Sequence, residues 1–328
     1  MTCTRRLSCL DIKKISKMIE YLDNNENDKF TGDLRNEAFS RLHTLLPLKY
    51  KFLPESYVLT EEKDILGLIT IVPTMGNPYK INISRLIFGN NYYDAGKQLV
   101  EFVIARYGSK GATSFCVTVD ESHDELLQLF IKGCGFRHCA SECLWKIDNF
   151  NFENVHPANF RPCQNSDAKQ VSRLFNGELK SLFRPSLERD KNEYKEPFFE
   201  GLTNFYKNRY VLEEPQKKRV IAYLSITTSD NLNFIIDIST NDGYNLSYDE
   251  ILYFALKEIA SRKSSFYAFV KQKTYTKTSD KFGEYLNSRG FNLIQTQHVL
   301  IKDFYKPVMQ SENVLQVFLF GNNRVSAN

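Results

Sequence analysis

A duplication constrains this chain more than any other feature. The apolar run Ile65-Leu-Gly-Leu-Ile-Thr-Ile-Val72 returns 155 positions later as Val220-Ile-Ala-Tyr-Leu-Ser-Ile-Thr227, and Gly135-Phe136 returns at the same shift as Gly290-Phe291. Ile81-Asn-Ile-Ser84 lines up with Ile236-Asp-Ile-Ser239, and a polar start near Ser8 to Asp11 has its counterpart near Cys163 to Asp167. Four matches in order imply one repeated unit. A chain of 328 residues has room for two such units, each long enough to bury a core. The expected organisation is an N-terminal domain over 1–150, a polar linker over 151–160, a C-terminal domain over 161–310 and a tail over 311–328.

Periodicity gives each copy the same order of elements. In the first, Asp11 caps a helical pattern carried by Ile12, Ile15, Met18 and Ile19, and a second helix fits Leu34 to Leu45. Strands follow at about 56–60, 65–73 and 80–88. An amphipathic helix, Ala95 to Tyr107, then presents Leu99, Val100, Val103 and Ile104 on one face. After it come a strand, Ser114 to Val119, and a short helix, Asp124 to Lys132, punctuated by Gly133 and Gly135. Phe136–Ala140 and Cys143–Ile147 are expected to form a terminal hairpin. The second copy repeats this with helices at Ser247–Ala260 and Ser279–Arg289, a strand at Ser265–Lys271, and hairpin strands ending at Asp303.

This order resembles the acyl-CoA-dependent N-acyltransferase (GNAT) family, over about 5–148 and 160–304. The resemblance implies an α/β (α+β) chain of two tandem domains, each a mixed, mostly antiparallel central sheet flanked by helices. The family holds the CoA pyrophosphate on a Q/R-x-x-G-x-G/A turn, where orphan N–H groups at a helix start attract an anion. The matching stretch is Asn91-Tyr92-Tyr93-Asp94-Ala95-Gly96, preceded by the strand end Leu86-Ile87-Phe88 and followed by Lys97. Gly96 keeps the last small position, whereas Asp94 replaces a glycine and would repel a pyrophosphate unless it turns outward. In the second copy, Gly243-Tyr244-Asn245-Leu246-Ser247-Tyr248 lacks both small residues.

The resemblance also implies a tyrosine five residues before the Gly-Phe phenylalanine, as proton donor to the departing thiolate. Those positions hold Ile131 and Leu286, with Tyr285 one residue out of register. A carboxylate near the fourth strand would take the amine proton. The first copy offers Asn82, Ser84 and Arg85 there, while the second offers Asp237, aligned with Asn82. Asp237 and Tyr285 are therefore the candidate catalytic residues, and a composite site across both copies is one arrangement they allow. The implied co-substrate is acetyl-CoA or another acyl-CoA, and the implied acceptor is a small-molecule or peptide amine. A catalytically degenerate tandem that binds acyl-CoA or another ligand is the alternative, favoured by Asp94, the missing tyrosine and the second turn.

Composition narrows the partners. With 43 basic and 39 acidic residues the charge is too balanced for a nucleic-acid channel, and no apolar run approaches a membrane span. Seven cysteines and no secretory pattern point to reduced thiols in a cytoplasm, with an oligomer left open. Cys134, His138, Cys139 and Cys143 do not have a zinc-site spacing, so no metal is expected. Aromatics between Tyr194 and Tyr210 fit a helix-packing face or an acceptor pocket.

Overall fold

The structure is a computed structural model of the chain and describes residues 2–11, 13–15, 55–62, 64–74, 77–88, 93–148, 155–196, 206–214, 216–228 and 231–304. The expected helix over Leu34 to Leu45, most of the helix after Asp11, the turn residues Asn91 and Tyr92, and the tail over 311–328 lie outside the described residues.

The first copy opens with β1 (Thr2–Arg6), then β2 (Glu55–Glu61), β3 (Asp64–Thr74) and β4 (Asn77–Phe88). Helix α1 (Tyr93–Gly108) leads to β5 (Ser114–Asp120), helix α2 (Asp124–Gln128), a π-helical turn (Leu129–Gly133) and β6 (Arg137–Lys146). The second copy runs β7 (Arg161–Pro162), α3 (Ala168–Glu178), α4 (Arg184–Leu187), β8 (Tyr206–Glu214), β9 (Arg219–Thr228) and β10 (Asn233–Thr240). It ends with α5 (Tyr248–Arg262), β11 (Tyr267–Lys273), α6 (Ser279–Ser288) and β12 (Asn292–Asp303). Among the described residues no helix is long and apolar enough to cross a membrane.

Local chemistry explains the repeat. Leu66 to Ile71 are all buried in β3, as a strand covered on both faces requires. Leu99, Val100 and Val103 are fully buried along α1, with Ile251, Leu252 and Ala255 in their places along α5. Gly135 and Gly290 both adopt φ +71°, the left-handed conformation that stops a helix at little cost to glycine. A clamp is duplicated as well. Asp11 accepts both guanidinium nitrogens of Arg5 at 2.7 Å and the Ser8 N–H at 2.8 Å. Asp167 accepts Arg161 at 2.8 and 2.9 Å and the Gln164 N–H at 2.8 Å.

All strands join one twelve-stranded sheet in the order β1-β2-β3-β4-β5-β12-β6-β11-β10-β9-β8-β7. Among the described residues only the β4–β5 and β10–β11 pairings are parallel. The expected terminal hairpins are not formed. Each is a single long strand, and the two cross over: β12 pairs with β5 of the first copy, while β6 pairs with β11 of the second. A hairpin needs a turn near 141–142, but Ser141 and Glu142 continue the ladder opposite His298 and Gln297. The exchange carries side chains with it. Leu300 of β12 is buried in the first copy's core, and Trp145 of β6 in the second's.

Candidate functional site

The parallel pairs create the gaps in which a ligand could lie. In the first copy the β4–β5 ladder ends at Ile83–Val117, although β4 runs on to Phe88 and β5 to Asp120. A bulge at Ser84, where Thr70 faces Arg85 and Ile71 faces Ile83, bends β4 away at that point. In the second copy the ladder ends at Asp237–Lys271, and β9–β10 pairing runs on without a bulge.

The two neighbouring strands align β4 with β10 differently. Against β5 and β11 the shift of 155 holds, because Asn82 pairs with Cys116 and Asp237 with Lys271. Against β3 and β9 it does not, because Ile71 pairs with Ile83 while its counterpart Ile226 pairs with Ile236.

The helix starts differ just as much. Gly96 is buried at the start of α1, and a Cβ there would stand 2.8 Å from two Phe88 ring carbons and 3.0 Å from Leu129. The glycine thus lets Phe88 pack where the two strands part. Ala95 is buried beside it, Lys97 reaches Glu101 at 3.9 Å, and Leu86 and Ile87 close the strand end. Asp94 is exposed, so its carboxylate points outward, and Tyr93 lies over Gly133. In the second copy Tyr248 replaces Gly96. Its ring packs 4.6 Å from Phe282 and 5.1 Å from Tyr285, and only about 10 Å³ remains between β10 and β11 beside it. That volume is on the scale of a single water and far below a pantetheine arm.

Tyr285 packs on Tyr248 beside the second gap, with its hydroxyl already engaged. Its hydroxyl donates to Asp249 at 2.6 Å, and Arg289 closes the group from the other side of that carboxylate. Burial and the bond to Asp249 push the tyrosine's pKa well up. Its structural counterpart is Leu129, because the Cys134 N–H reaches back five residues to Leu129 while the Arg289 N–H reaches back four to Tyr285. The π-helical turn adds one residue, which accounts for the shift in register. Ile131 is 40% exposed and Leu286 fully buried, so neither position presents chemistry.

Asp237 has a partner. It meets Lys273 at 2.9 Å, and Lys273, with 3% of its side chain exposed, also donates to Ser239 at 2.8 Å. Burial raises the Asp237 pKa, but Lys273, Lys271 and Arg189 outweigh it and hold the carboxylate ionised. Nearby, Lys271 pairs with Glu142 at 2.7 Å, and Tyr275 donates to the other oxygen of Glu142 at 2.7 Å. This buried cluster went unread in the sequence. Its signal was Lys271-Gln-Lys273, two lysines at alternate positions of an inner strand, where such charges require partners.

The strand order separates the sequence candidates. From β4 to β10 there are five strand spacings, about 24 Å. Asp237 therefore cannot serve a reaction beside Gly96, since a base must lie within hydrogen-bond reach or one water of its proton. His138 and His298 sit 3.1 Å apart on the exchanged strands, while Cys134 is buried in the first core. Among the described residues no three metal-ligating side chains converge.

Two parallel pairs that part beside a helix start, repeated along one sheet, define a tandem GNAT fold. The structure is similar over 94% of its length to the whole of a tandem GNAT protein from the clavulanic acid biosynthesis pathway, at TM-score 0.61 and 12% identity. A GCN5-related N-acetyltransferase from Sphaerobacter thermophilus matches 94% of this chain with 97% of its own, at TM-score 0.58 and 10% identity. A Drosophila protein matches 92% with 98% of its own, at TM-score 0.54 and 10% identity. No protein-family model and no curated protein matches the sequence, so the likeness is one of fold.

Proposed function

We propose that the protein is an acyl-CoA-dependent N-acyltransferase whose co-substrate, acetyl-CoA or another acyl-CoA, binds the first copy. The observation that carries this is the contrast between the two gaps. The first has the bulge at Ser84, a small residue at position 96 and an outward Asp94, whereas Tyr248 plugs the second. The strand end Leu86–Phe88 and the turn from Asn91 to Lys97 would hold the cofactor, with Phe88 swinging aside to admit the pantetheine. The acceptor is a small-molecule or peptide amine, reached in a cytoplasm.

The chemistry asks the amine to lose a proton before it attacks the thioester carbon, and the thiolate to gain one as it leaves. Described β4 presents no carboxylate at the bulge, and Asp237 lies too far away. The amine would arrive neutral or lose its proton to water. Calorimetry on the full chain with acetyl-CoA and desulfo-CoA tests the reading. Binding that Gly96→Trp abolishes and Tyr248→Trp spares is expected, and no binding at millimolar ligand would refute it.

One observation favours a second reading, a tandem that binds without turnover. Leu129 occupies the place of Tyr285, so that position offers no hydroxyl beside Gly96. Release of free CoA above the uncatalysed rate with any amine would exclude it.

A further inference from the structure

The two exchanged strands carry a constellation that the acyl-transfer reading does not use. His138 Nε2 of β6 lies 3.1 Å from His298 Nδ1 of β12. Ser141 Oγ lies 3.2 Å from the first nitrogen and 3.1 Å from the second, so three polar atoms form a nearly equilateral triangle. His138 is exposed and His298 half-buried, which leaves the triangle open to water.

A bulge builds it. Ala140 pairs with Val299 and His138 with Leu300, which leaves Cys139 as an extra residue between them. That residue turns His138 onto the face of Ser141, where a regular strand would set residues three apart on opposite faces. Ser141 in turn pairs with His298. The duplication supplies a twin. There Gln295 pairs with Leu144 and Leu293 with Trp145, leaving Ile294 as the extra residue, and Thr296 pairs with Cys143. The twin makes the same bulge with Leu293 and Cys143 in place of the two histidines. The fold therefore does not need imidazoles at 138 and 298.

The geometry suits a shared cation. Imidazole binds divalent zinc, nickel and copper, with metal–nitrogen bonds of about 2.0–2.1 Å for zinc. Two such bonds at an angle of about 100° put the nitrogens about 3.1 Å apart and the ring centroids about 4.9 Å apart. The centroids of His138 and His298 stand 4.9 Å apart, with the rings at 77°. A hydrogen bond lying along both ring axes would hold them about 5.4 Å apart, so the rings do not meet end on. The far nitrogen of His298, Nε2, faces Glu121 Oε1 at 4.0 Å. A carboxylate there favours the proton on Nε2 and leaves the Nδ1 lone pair free. Ligating histidines ordinarily have such an outer partner.

We propose that His138 and His298 chelate one divalent zinc, nickel or copper ion, with Ser141 Oγ as a weaker third donor and water in the open positions. The ion ties β6 to β12, the strands through which the two copies exchange partners. Two imidazoles fall short of the three or four strong ligands of a permanent site, so the ion binds reversibly. Spacing within one segment could not reveal the pair, because its members are 160 residues apart. The site uses neither gap and stands whether or not the first copy binds acyl-CoA.

The test is calorimetry with Ni²⁺ on the untagged full chain, its thiols kept reduced, alongside thermal unfolding at rising Ni²⁺. The parent binds one ion per chain, and its Tm rises with the ion's concentration. His138→Ala, a change at an exposed side chain, weakens binding at least tenfold and removes the rise in Tm, and His298→Ala does the same. His156→Ala, at an exposed histidine outside the site, leaves both unchanged. Mg²⁺, which prefers oxygen ligands, produces neither effect. Absence of Ni²⁺ binding by the parent, or binding by folded His138→Ala within threefold of the parent's, overturns the proposal.

Discussion

Replacing Lys273 by Met removes one buried ammonium from between two carboxylates and leaves the shape of the side chain nearly unchanged. At an effective dielectric of about 20, a pair at 2.9 Å attracts by roughly 6 kcal/mol and one at 3.9 Å by roughly 4 kcal/mol. Desolvation of the ammonium offsets several kcal/mol of that. A sharper bound comes from protonation. Asp237 can escape its loss by taking a proton, which from an ordinary pKa near 3.9 costs about 4 kcal/mol at pH 7 and about 1.5 kcal/mol at pH 5. Lys271 still favours the ionised form, so the expected deficit is about 3 kcal/mol at pH 7, falling to about half of that or less at pH 5.

The sign follows from linkage. The Asp237 pKa is depressed in the native protein, so its stabilisation is present above the unfolded pKa and is lost as pH falls through the folded value. Without Lys273 the folded pKa rises, and acid narrows the gap to the parent. Urea unfolding followed by circular dichroism at pH 5, 6 and 7 reads both quantities. Lys273→Met/Asp237→Asn should recover more than half of the pH 7 deficit. A loss under about 1 kcal/mol at pH 7, or an equal loss at pH 5 and 7, would refute the reasoning.

Gly96→Ala should lower stability by about 1–2 kcal/mol despite alanine's higher helix propensity, because its Cβ meets the Phe88 ring at 2.8 Å. In a Phe88→Ala background the same change should stabilise, a reversal that four urea-unfolding curves can show. If the first copy transfers acyl groups without a carboxylate base, kcat/KM should climb with pH up to the amine's own pKa. A plateau set by a lower enzyme pKa, seen in thiol-release assays with two amines of different basicity, would count against it. Asp167→Asn should cost about 1–2 kcal/mol in chemical denaturation, since the carboxylate is buried while the Arg161 side chain remains 36% exposed and partly screened.

How much of this was legible in the sequence depends on the range of the contacts. The strands around Ile65 and Val220, the helix face of Leu99 to Val103 and the Gly-Phe stops follow from periodicity and local backbone preference, and the structure places them within two residues. The bulge at Ser84 and the π-helical turn at Leu129 each insert one residue. A constant shift of 155 therefore places Tyr285 one residue from its counterpart, and fits β10 against β11 but not against β9. Periodicity cannot register such insertions, because they are fixed by pairing with a neighbouring strand or helix. The Glu178–Lys273–Asp237 group joins α3, β11 and β10, segments far apart in the chain, and only the folded sheet brings them together.

The strand exchange changes what the duplication means. Two copies suggest two autonomous domains, but β12 supplies Val299, Leu300 and Ile301, all buried, against β5 and β6. Leu300 lies in the first copy's core, while Val299 and Ile301 join the cluster under α3. At about 1.5–3 kcal/mol for a buried aliphatic side chain, the loss of Leu300 alone takes a large share of a domain's stability. The cut also bares the edges of β5 and β6, which invite aggregation. Residues 1–150 expressed alone should therefore be insoluble or molten, whereas co-expression with 151–328 should rescue a native-like complex. A soluble 1–150 fragment with cooperative unfolding would show that β6 can fold back into the place of β12. The exchange would then be a choice between two pairings rather than a requirement of the first copy's core.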